Sequence, residues 1–230
     1  MAYDVRLCFI GDSFVAGAGD PEHRGWVGRL LTDPIPGVVL TGYNLGIRGN
    51  TSSEVLTRWG QEVPPRLRTA PLGGLVISFG VNDTAPPHRS THPTPRSLTH
   101  LDQLLTEASA AGYPTLVVGP PPVADPEHNR HAVALDRAYA RLCAHRGTGY
   151  VPVIGDLLHD EVWAREVTQG DGAHPSAAGY ARLADLVRPT WHHWLSHLVQ
   201  QSNEPHGEPA TTEIPSVEGA SPTSPDPHQP

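Results

Sequence analysis

Residues 5–13 read VRLCFIGDS, a short apolar run that ends in a glycine, an aspartate and a serine. Four similar runs follow along the chain, each rich in Val, Ile and Leu and bounded by turn residues. They are VVLTGYNLG (38–46), GGLVISFG (73–80), YPTLVVGP (113–120) and YVPVIG (150–155). Runs of this length and composition are typical of strands that are buried on both faces of a sheet. The sequence therefore predicts five such strands.

Segments with helical spacing lie between these runs. Three of them are SEVLTRWGQEV (53–63), SLTHLDQLLTEASAAG (97–112) and HAVALDRAYARLCAHRG (131–147). Thr51 and Glu54 can form a capping box at the start of the first segment, and each of the other two stops at a glycine. Because strands and helices alternate, the pattern predicts an α/β fold in which helices cover both faces of a parallel sheet.

The end of the chain changes in composition. A stripe of large apolar residues follows the HPS sequence at 174–176 and predicts a helix that packs on the sheet, kinked or split at Pro189. The stripe contains Tyr180, Leu183, Val187, Trp191, Trp194 and Leu198. From Gln201 onward the chain is rich in Pro, Ser, Glu and Thr, with too few apolar residues to offset the entropy of ordering. We therefore expect one folded domain over residues 1–200 and a disordered tail over residues 201–230.

Length, charge and cysteine content narrow the classes of function. The 230 residues suffice for one well-buried domain. A formal net charge of −8 disfavours nucleic acid as a partner and favours a small or neutral ligand. The two cysteines, Cys8 and Cys143, have the spacing of neither a disulfide framework nor a zinc site, so we expect buried free thiols. No secretory signal and no run of about 20 apolar residues is visible, which predicts a cytoplasmic protein without a membrane span.

Polar residues and glycines follow the predicted strands, at the edge where open parallel α/β sheets bind ligands. In chain order they are Ser13 after the first run, Gly46 and Gly49 after the second, Asn82 after the third, and Asp171 with His174 before the final helix. A serine nucleophile needs an imidazole to take its proton, and the imidazole needs a carboxylate to fix its tautomer. The backbone N–H groups of Ser13 and Gly49 and the side-chain amide of Asn82 can stabilise a tetrahedral oxyanion. The set favours acyl transfer.

These residues fall in four blocks that resemble those of the SGNH hydrolases, the superfamily of GDSL-type esterases and lipases. The blocks are GDS (11–13), GNT (49–51), GVND (80–83) and DGAH (171–174), and they run in the family's order. The resemblance implies a three-layer α/β/α sandwich with a flavodoxin-like, five-stranded parallel sheet. It also implies hydrolysis of a small-molecule carboxylic ester through an acyl enzyme, without a cofactor.

The resemblance also implies a role for each site residue. Ser13 is the expected nucleophile, His174 the base and Asp171 the group that orients the base. Ser13, Gly49 and Asn82 are the expected oxyanion hole, with Gly46 as the alternative to Gly49. The residue after the GDS block is Phe14, where the family's name has leucine.

Several of these residues have structural interpretations as well. Ser13 can be a helix N-cap, since serine is a preferred residue there. Asn82 and Asp83 can form a turn, and Asp12 is interpreted as a structural turn residue. Each block is a weak motif by itself, but four blocks in order, each at a strand end, favour the catalytic interpretation.

The fourteen histidines also raise the possibility of a metal site. His193 and His197 are spaced i,i+4, but no Glu or third ligand accompanies them and no HEXXH motif occurs. His88 and His92 lie in a Pro-rich stretch without better support. We therefore expect every histidine except His174 to be solvated, and we expect no metal site. Gly-rich phosphate loops and the G-x-S-x-G elbow are absent too.

The resemblance covers several kinds of substrate. Thioesterases, lysophospholipases and acetylesterases of sugars belong to the same superfamily. Few large apolar residues lie near the blocks, and Phe14, Trp26 and Trp59 are the candidates to line an acyl pocket, so we expect short acyl groups. A non-catalytic binding module on the same fold is the alternative from another functional class. No block residue is missing, which favours an enzyme.

Overall fold

The computed structural model of the protein describes residues 2–85 and 93–201. The strands are β1 (Tyr3–Gly11), β2 (Val38–Gly46), β3 (Leu72–Ser78), β4 (Thr115–Val118) and β5 (Gly149–Val151). They form one parallel sheet in the order β2-β1-β3-β4-β5. This is the flavodoxin-like order, so the predicted sheet is confirmed.

Helices connect the strands. Those that follow β1 and β2 are α1 (Ser13–Ala16), α2 (Gly25–Leu31), α3 (Ser52–Glu62) and α4 (Pro64–Leu67). Those that follow β3 and β4 are α5 (Val81–Thr84), α6 (Pro93–Ala110) and α7 (Pro126–Arg146). Those that follow β5 are α8 (Ile154–Leu158), α9 (Glu161–Gln169) and α10 (Ala177–Gln201). Thr51 and Glu54 form the predicted capping box of α3.

Two hydrophobic cores lie on the two faces of the sheet. Because successive side chains of a strand point to opposite faces, β1 contributes to both cores. Leu7 and Phe9 pack with α2, α9 and α10, whereas Cys8 and Ile10 pack with α3, α6 and α7. The result is the predicted three-layer α/β/α sandwich. Both cysteines are buried free thiols, and burial raises the pKa of each to about 12.

Strand β2 differs from the prediction that all five strands are buried on both faces. It lies at the edge of the sheet and pairs only with β1. Its residues are mostly exposed or half-buried, and the side chain of Val39 is 59% exposed. Its apolar sequence resembles those of the central strands, but its position in the sheet leaves one side without a neighbouring strand.

Helix α10 is continuous across Pro189. Of the two expected effects of this proline, a kink or a split, the split is therefore wrong. Val187 and Trp191, on either side of the proline, are both fully buried against the sheet. This packing stabilises an uninterrupted helix although Pro189 cannot donate a backbone hydrogen bond. No helix within residues 2–85 and 93–201 is long and apolar enough to cross a membrane.

The site is positioned by the register of the three neighbouring strands. Gly11, the last residue of β1, pairs with Gly46 of β2 and with Ser78 of β3. The carboxyl ends of these strands therefore lie side by side. A side chain at position 11 would place its Cβ 1.8 Å from the carbonyl oxygen of Ser78, so only glycine fits there. The predicted tail, apart from Gln201, and the predicted loop of His88 and His92 lie outside the described residues.

Candidate active site

Ser13 is the first residue of α1, in the turn that follows β1. Asp12, not Ser13, caps this helix, because Asp12 Oδ1 accepts the backbone N–H of Phe14 at 3.0 Å. The hydroxyl of Ser13 is therefore not used as a cap. Its Oγ lies 2.7 Å from Nε2 of His174, which comes from the loop before α10.

The imidazole of His174 lies between Ser13 and Asp171. His174 Nδ1 is 2.7 Å from Asp171 Oδ2. The other carboxylate oxygen of Asp171 accepts the backbone N–H groups of Ala173 and His174 at 2.9 and 2.8 Å. With Nδ1 donating to the carboxylate, Nε2 is the acceptor for the Ser13 hydroxyl. The loop thus orients both the acid and the imidazole.

Asp171 is held in its ionised form. Desolvation acts to raise its pKa, but the backbone N–H of His174, the imidazole of His174 and the N–H of Ala173 together lower it more. The pKa of this carboxyl consequently lies well below its usual range. A permanently ionised carboxylate can fix the tautomer of the imidazole and stabilise an imidazolium.

Two aromatic rings support the imidazole from the core. The ring of Phe14 lies 4.9 Å from that of His174, between centroids, and stacks on Trp163 at 6.3 Å. Phe14 is therefore a packing residue, and the prediction that it lines an acyl pocket is wrong. The same holds for Trp26 and Trp59, which are buried in the two cores on opposite faces of the sheet.

The loop between α1 and α2 forms a wall beside His174. The carboxylate of Asp20 accepts backbone N–H groups of Glu22, Arg24 and Gly25 and forms a buried ion pair with Arg29 at 2.5 Å. These bonds fix the loop, and Gly19 within it lies directly against the backbone and Cβ of His174.

Replacing Gly19 by alanine is expected to lower kcat by about tenfold to a hundredfold, the size of effect that a displacement of about 1 Å can have. The added Cβ would lie 2.9 Å from the Pro175 carbonyl oxygen and 3.0 Å from His174 Cβ. Either the Gly19 loop or the His174–Pro175 segment must therefore shift, and we expect this shift to displace the imidazole from Ser13. Gly112→Ala is the matched control, since Gly112 has a similar positive φ of 75° but open space around it. Steady-state kinetics and thermal unfolding of both variants test this. Equal kcat in the two variants would contradict it.

The residues expected to bind the oxyanion lie at the ends of β2 and β3. The N–H of Gly46 donates to Asn44 Oδ1 at 3.0 Å and is therefore engaged. Gly49 lies in the following turn with a φ of +79°, and its N–H has no acceptor within residues 2–85 and 93–201. Asn82 donates one amide hydrogen to the carbonyl of Asn50 at 2.9 Å, which leaves the second hydrogen for another acceptor.

The short helix α5, which contains Asn82, is held by hydrogen bonds on two sides. Asp83 accepts the backbone N–H and the hydroxyl of Ser52 at the start of α3, and that hydroxyl also contacts His100 Nδ1 at 2.8 Å. On the other side, Nε2 of His128 lies 2.8 Å from the carbonyl oxygen of Val81. Asp83 thus has the structural role considered for it, and these contacts orient the neighbouring Asn82.

Asp12 is more deeply buried than a turn residue usually is. It is 1% exposed, and its Oδ2 is buried without a hydrogen-bond partner among the described residues. Burial raises the pKa of Asp12 to about 7. The hydrogen bond from the N–H of Phe14 acts to lower this pKa, whereas the charge of Asp83 acts to raise it further. The carboxyl next to Ser13 is therefore neutral in weakly acidic solution.

This burial predicts that the contribution of Asp12 to the free energy of unfolding decreases as the pH rises from about 4 to about 7. Below that window Asp12 is protonated in both the folded and the unfolded chain, whereas within it only the folded chain retains the proton. A shift of about 3 units corresponds to at most about 4 kcal/mol. Asp12→Asn resembles the protonated acid, so its unfolding free energy should lack this decrease. Urea unfolding of both proteins across the window measures the difference, and parallel pH curves would contradict the prediction.

Three cavities differ in size, lining and position in the fold. One of about 510 Å³ borders His174 and Asp171, and its wall carries the polar side chains of Arg165, Glu166 and Gln169. An apolar cavity of about 180 Å³ lies next to Trp163. A larger groove of about 570 Å³ contains His193 and His197 but lies at the amino ends of β4 and β5, opposite the site. Within the described chain, no group of three or more His, Cys, Asp or Glu residues can hold a metal ion.

The model of the GDSL-like Lipase/Acylhydrolase family matches residues 9–182. No curated protein matches the chain.

Solved structures share the fold. The lipase/acylhydrolase from Enterococcus faecalis superposes with a TM-score of 0.65 at 20% identity, over 84% of this chain and 96% of its own. The acetylxylan esterase Axe2 from Geobacillus stearothermophilus superposes with a TM-score of 0.66 at 21% identity, over 82% and 95%. TesA superposes with a TM-score of 0.65 at 28% identity, over 82% and 99%.

Proposed function

The chain belongs to the GDSL-like Lipase/Acylhydrolase family, and on this basis we propose that it is a serine esterase with Ser13 as nucleophile. The observation that supports the proposal is the continuous hydrogen-bonded chain from Ser13 Oγ through the imidazole of His174 to Asp171, with both links at 2.7 Å. The family establishes hydrolysis of ester bonds, and this chain of contacts supplies the groups for a specific mechanism.

In the acylation step, Ser13 Oγ attacks the ester carbonyl carbon while His174 Nε2 takes the hydroxyl proton. Asp171 remains ionised and stabilises the imidazolium that forms. As the tetrahedral intermediate collapses, His174 donates the proton to the departing alcohol. Water then attacks the acyl enzyme with the same imidazole as base, which releases the acid and regenerates Ser13.

The oxyanion of each tetrahedral intermediate is bound by the N–H groups of Ser13 and Gly49 and by the side-chain amide of Asn82. Two features support this assignment. The N–H groups of Ser13 and Gly49 have no other acceptor in the part of the chain that the structure describes, and Asn82 retains one amide hydrogen. Donors that are already fixed need no reorganisation as the charge develops, which makes them effective.

The proposed substrates are esters of short acyl groups with polar alcohols. Among the described residues, no large aliphatic side chain and no Phe, Tyr or Trp lines the cavity that borders His174 and Asp171, and its wall carries Arg165, Glu166 and Gln169. A polar alcohol fits these walls better than a long acyl chain does.

Hydrolysis of p-nitrophenyl esters from acetate to palmitate, by the wild type and Ser13→Ala, tests the proposal. We expect activity that is highest on the short esters and nearly absent in Ser13→Ala. Comparable activity in the two proteins would contradict the mechanism, and a maximum at palmitate would contradict the proposed acyl length. Absence of activity on every ester would favour the binding module.

A further inference from the structure

Arg58, in the middle of α3, makes an unusual set of contacts. Its Nη2 donates to the carbonyl oxygens of Gly11 and Leu45, each at 2.8 Å. Its Nε donates to Asn50 Oδ1 at 2.7 Å, and its Nη1 forms an ion pair with Glu62 at 2.8 Å. One guanidinium therefore binds two strand ends, one loop and its own helix.

The neutral acceptors of Arg58 are all close in sequence to the proposed catalytic groups. Gly11 precedes the turn that presents Ser13. Leu45 is near the end of β2, before the loop of residues 47–50. Asn50 follows Gly49 directly. The guanidinium thus spans the gap between the nucleophile turn at the end of β1 and the loop that supplies the second oxyanion donor.

The third proposed donor is connected to the same guanidinium through Asn50. The side chain of Asn50 is bound by Arg58, and its carbonyl oxygen accepts an amide hydrogen of Asn82 at 2.9 Å. A displacement of Asn50 would therefore move the amide of Asn82 as well as the N–H of the adjacent Gly49.

An ordinary surface ion pair does not explain these contacts. Arg58 and Glu62 are spaced i,i+4, but the Arg58 side chain is only 14% exposed. Burial lowers the pKa of Arg58, and Glu62 counteracts that effect. Burying a cation is costly unless its hydrogen bonds are satisfied, and here two backbone carbonyls and an amide oxygen satisfy them. A helix-stabilising pair alone requires neither burial nor these acceptors.

From these contacts we infer that Arg58 is a positioning residue for the reaction, and that it holds the Ser13 turn and the Gly49 and Asn82 donors in one geometry. The inference rests on the proposed function. Arg58 touches neither substrate nor reacting atoms and acts through the main chain of β1 and β2 and through Asn50. The planar fork of arginine is required, because a lysine ammonium cannot reproduce three donors in one plane.

The variant that tests this is Arg58→Lys, which keeps the charge and can keep the pair with Glu62. We expect kcat for p-nitrophenyl acetate to fall by about tenfold to a hundredfold, with KM nearly unchanged. The rate at which a fluorophosphonate modifies Ser13 should fall in parallel. In that reaction serine Oγ bonds to phosphorus with loss of fluoride, and the phosphonyl oxygen occupies the oxyanion position.

Two further variants separate positioning from stability. Glu62→Gln removes only the ion pair, so kcat should stay close to the wild-type value. Asn50→Ala removes only the contact with Nε, so kcat should fall less than in Arg58→Lys, and the double variant should be no worse than Arg58→Lys. Thermal unfolding of each variant shows whether it is folded.

The possible failures are distinguishable. If Arg58→Lys retains wild-type kcat and fluorophosphonate reactivity, or if Glu62→Gln loses as much kcat as Arg58→Lys, the inference is wrong while the proposed function stands. If wild type and Ser13→Ala hydrolyse the ester equally, the proposed function is wrong and the positioning role falls with it.

Discussion

His174→Ala is expected to lower kcat for a short ester by about 10⁴-fold to 10⁶-fold, the range seen when one member of a serine-hydrolase triad is removed. The reason is that the Ser13 hydroxyl is a weak nucleophile at neutral pH, and the imidazole of His174 lies 2.7 Å from it. Without that imidazole nothing takes the hydroxyl proton during attack, and nothing returns it to the leaving alcohol. KM should change far less than kcat.

The double variant Ser13→Ala/His174→Ala provides a control for this prediction. Because the two residues act as a unit, the double variant should be no less active than either single variant. Multiplied losses, or a His174→Ala enzyme with activity near the wild type, would mean that His174 is not the base. His159→Ala is a matched control, since His159 lies between α8 and α9 and outside the chain of contacts.

Asn82→Ala is expected to lower kcat by about 10²-fold to 10³-fold, as the loss of one oxyanion donor does in other acyl-transfer enzymes. The amide of Asn82 is held by the Asn50 carbonyl and leaves one hydrogen for the developing charge. Because this bond strengthens only when the carbonyl oxygen becomes anionic, the loss should appear in kcat and hardly in KM.

Asn82→Asp is a further variant that tests whether Asn82 donates a hydrogen bond to the oxyanion. Aspartate has nearly the same shape, but it carries no amide hydrogen and would bring negative charge to the oxyanion position. Its kcat should be lower than that of Asn82→Ala. Kinetics on p-nitrophenyl acetate compare the two variants, and an aspartate variant more active than the alanine variant would exclude Asn82 as a donor.

The fold was largely predictable because its signals are local. Five apolar runs and the helical segments between them lead to a parallel α/β sheet, and each run contains or overlaps an observed strand. The edge position of β2 was not predictable, because its composition matches that of a central strand and tertiary crossovers set the strand order. The alternative that Pro189 splits the last helix was wrong, because local propensity omits the burial of Val187 and Trp191 on either side of the proline.

The candidate site was predictable where a residue type and its place at a strand end point to the same chemistry. Ser13 satisfies both conditions. Asp171 and His174 follow helix α9 and not a strand, so the expectation that every block lies at a strand end is wrong for them, but the structure brings all three residues into contact. Arg58 was missed because it precedes Glu62 by four residues in a helix, and this spacing is typical of an exposed ion pair. Its contacts with Gly11 and Leu45 come from chain segments that only the folded structure places beside α3.

Asp12 and the acyl pocket were misjudged for a related reason. Aspartate after glycine is typical of a turn, and the sequence does not reveal that this carboxyl is buried, with one oxygen that has no hydrogen-bond partner among the residues that the structure describes. Likewise, large aromatic residues near catalytic blocks suggest a pocket, whereas Trp26 and Trp59 fill the two cores. Burial is a property of the packed sheet, not of local spacing.

The most direct test of the mechanism is the identification of the acylated residue. The wild type is mixed with p-nitrophenyl acetate, quenched in acid within the first turnover, digested and analysed by mass spectrometry. We expect the peptide containing Ser13 to gain the mass of one acetyl group, located at Ser13, and we expect Ser13→Ala to show no such peptide. Acetylation at another residue, or turnover without any acetylated peptide, would contradict a Ser13 acyl enzyme.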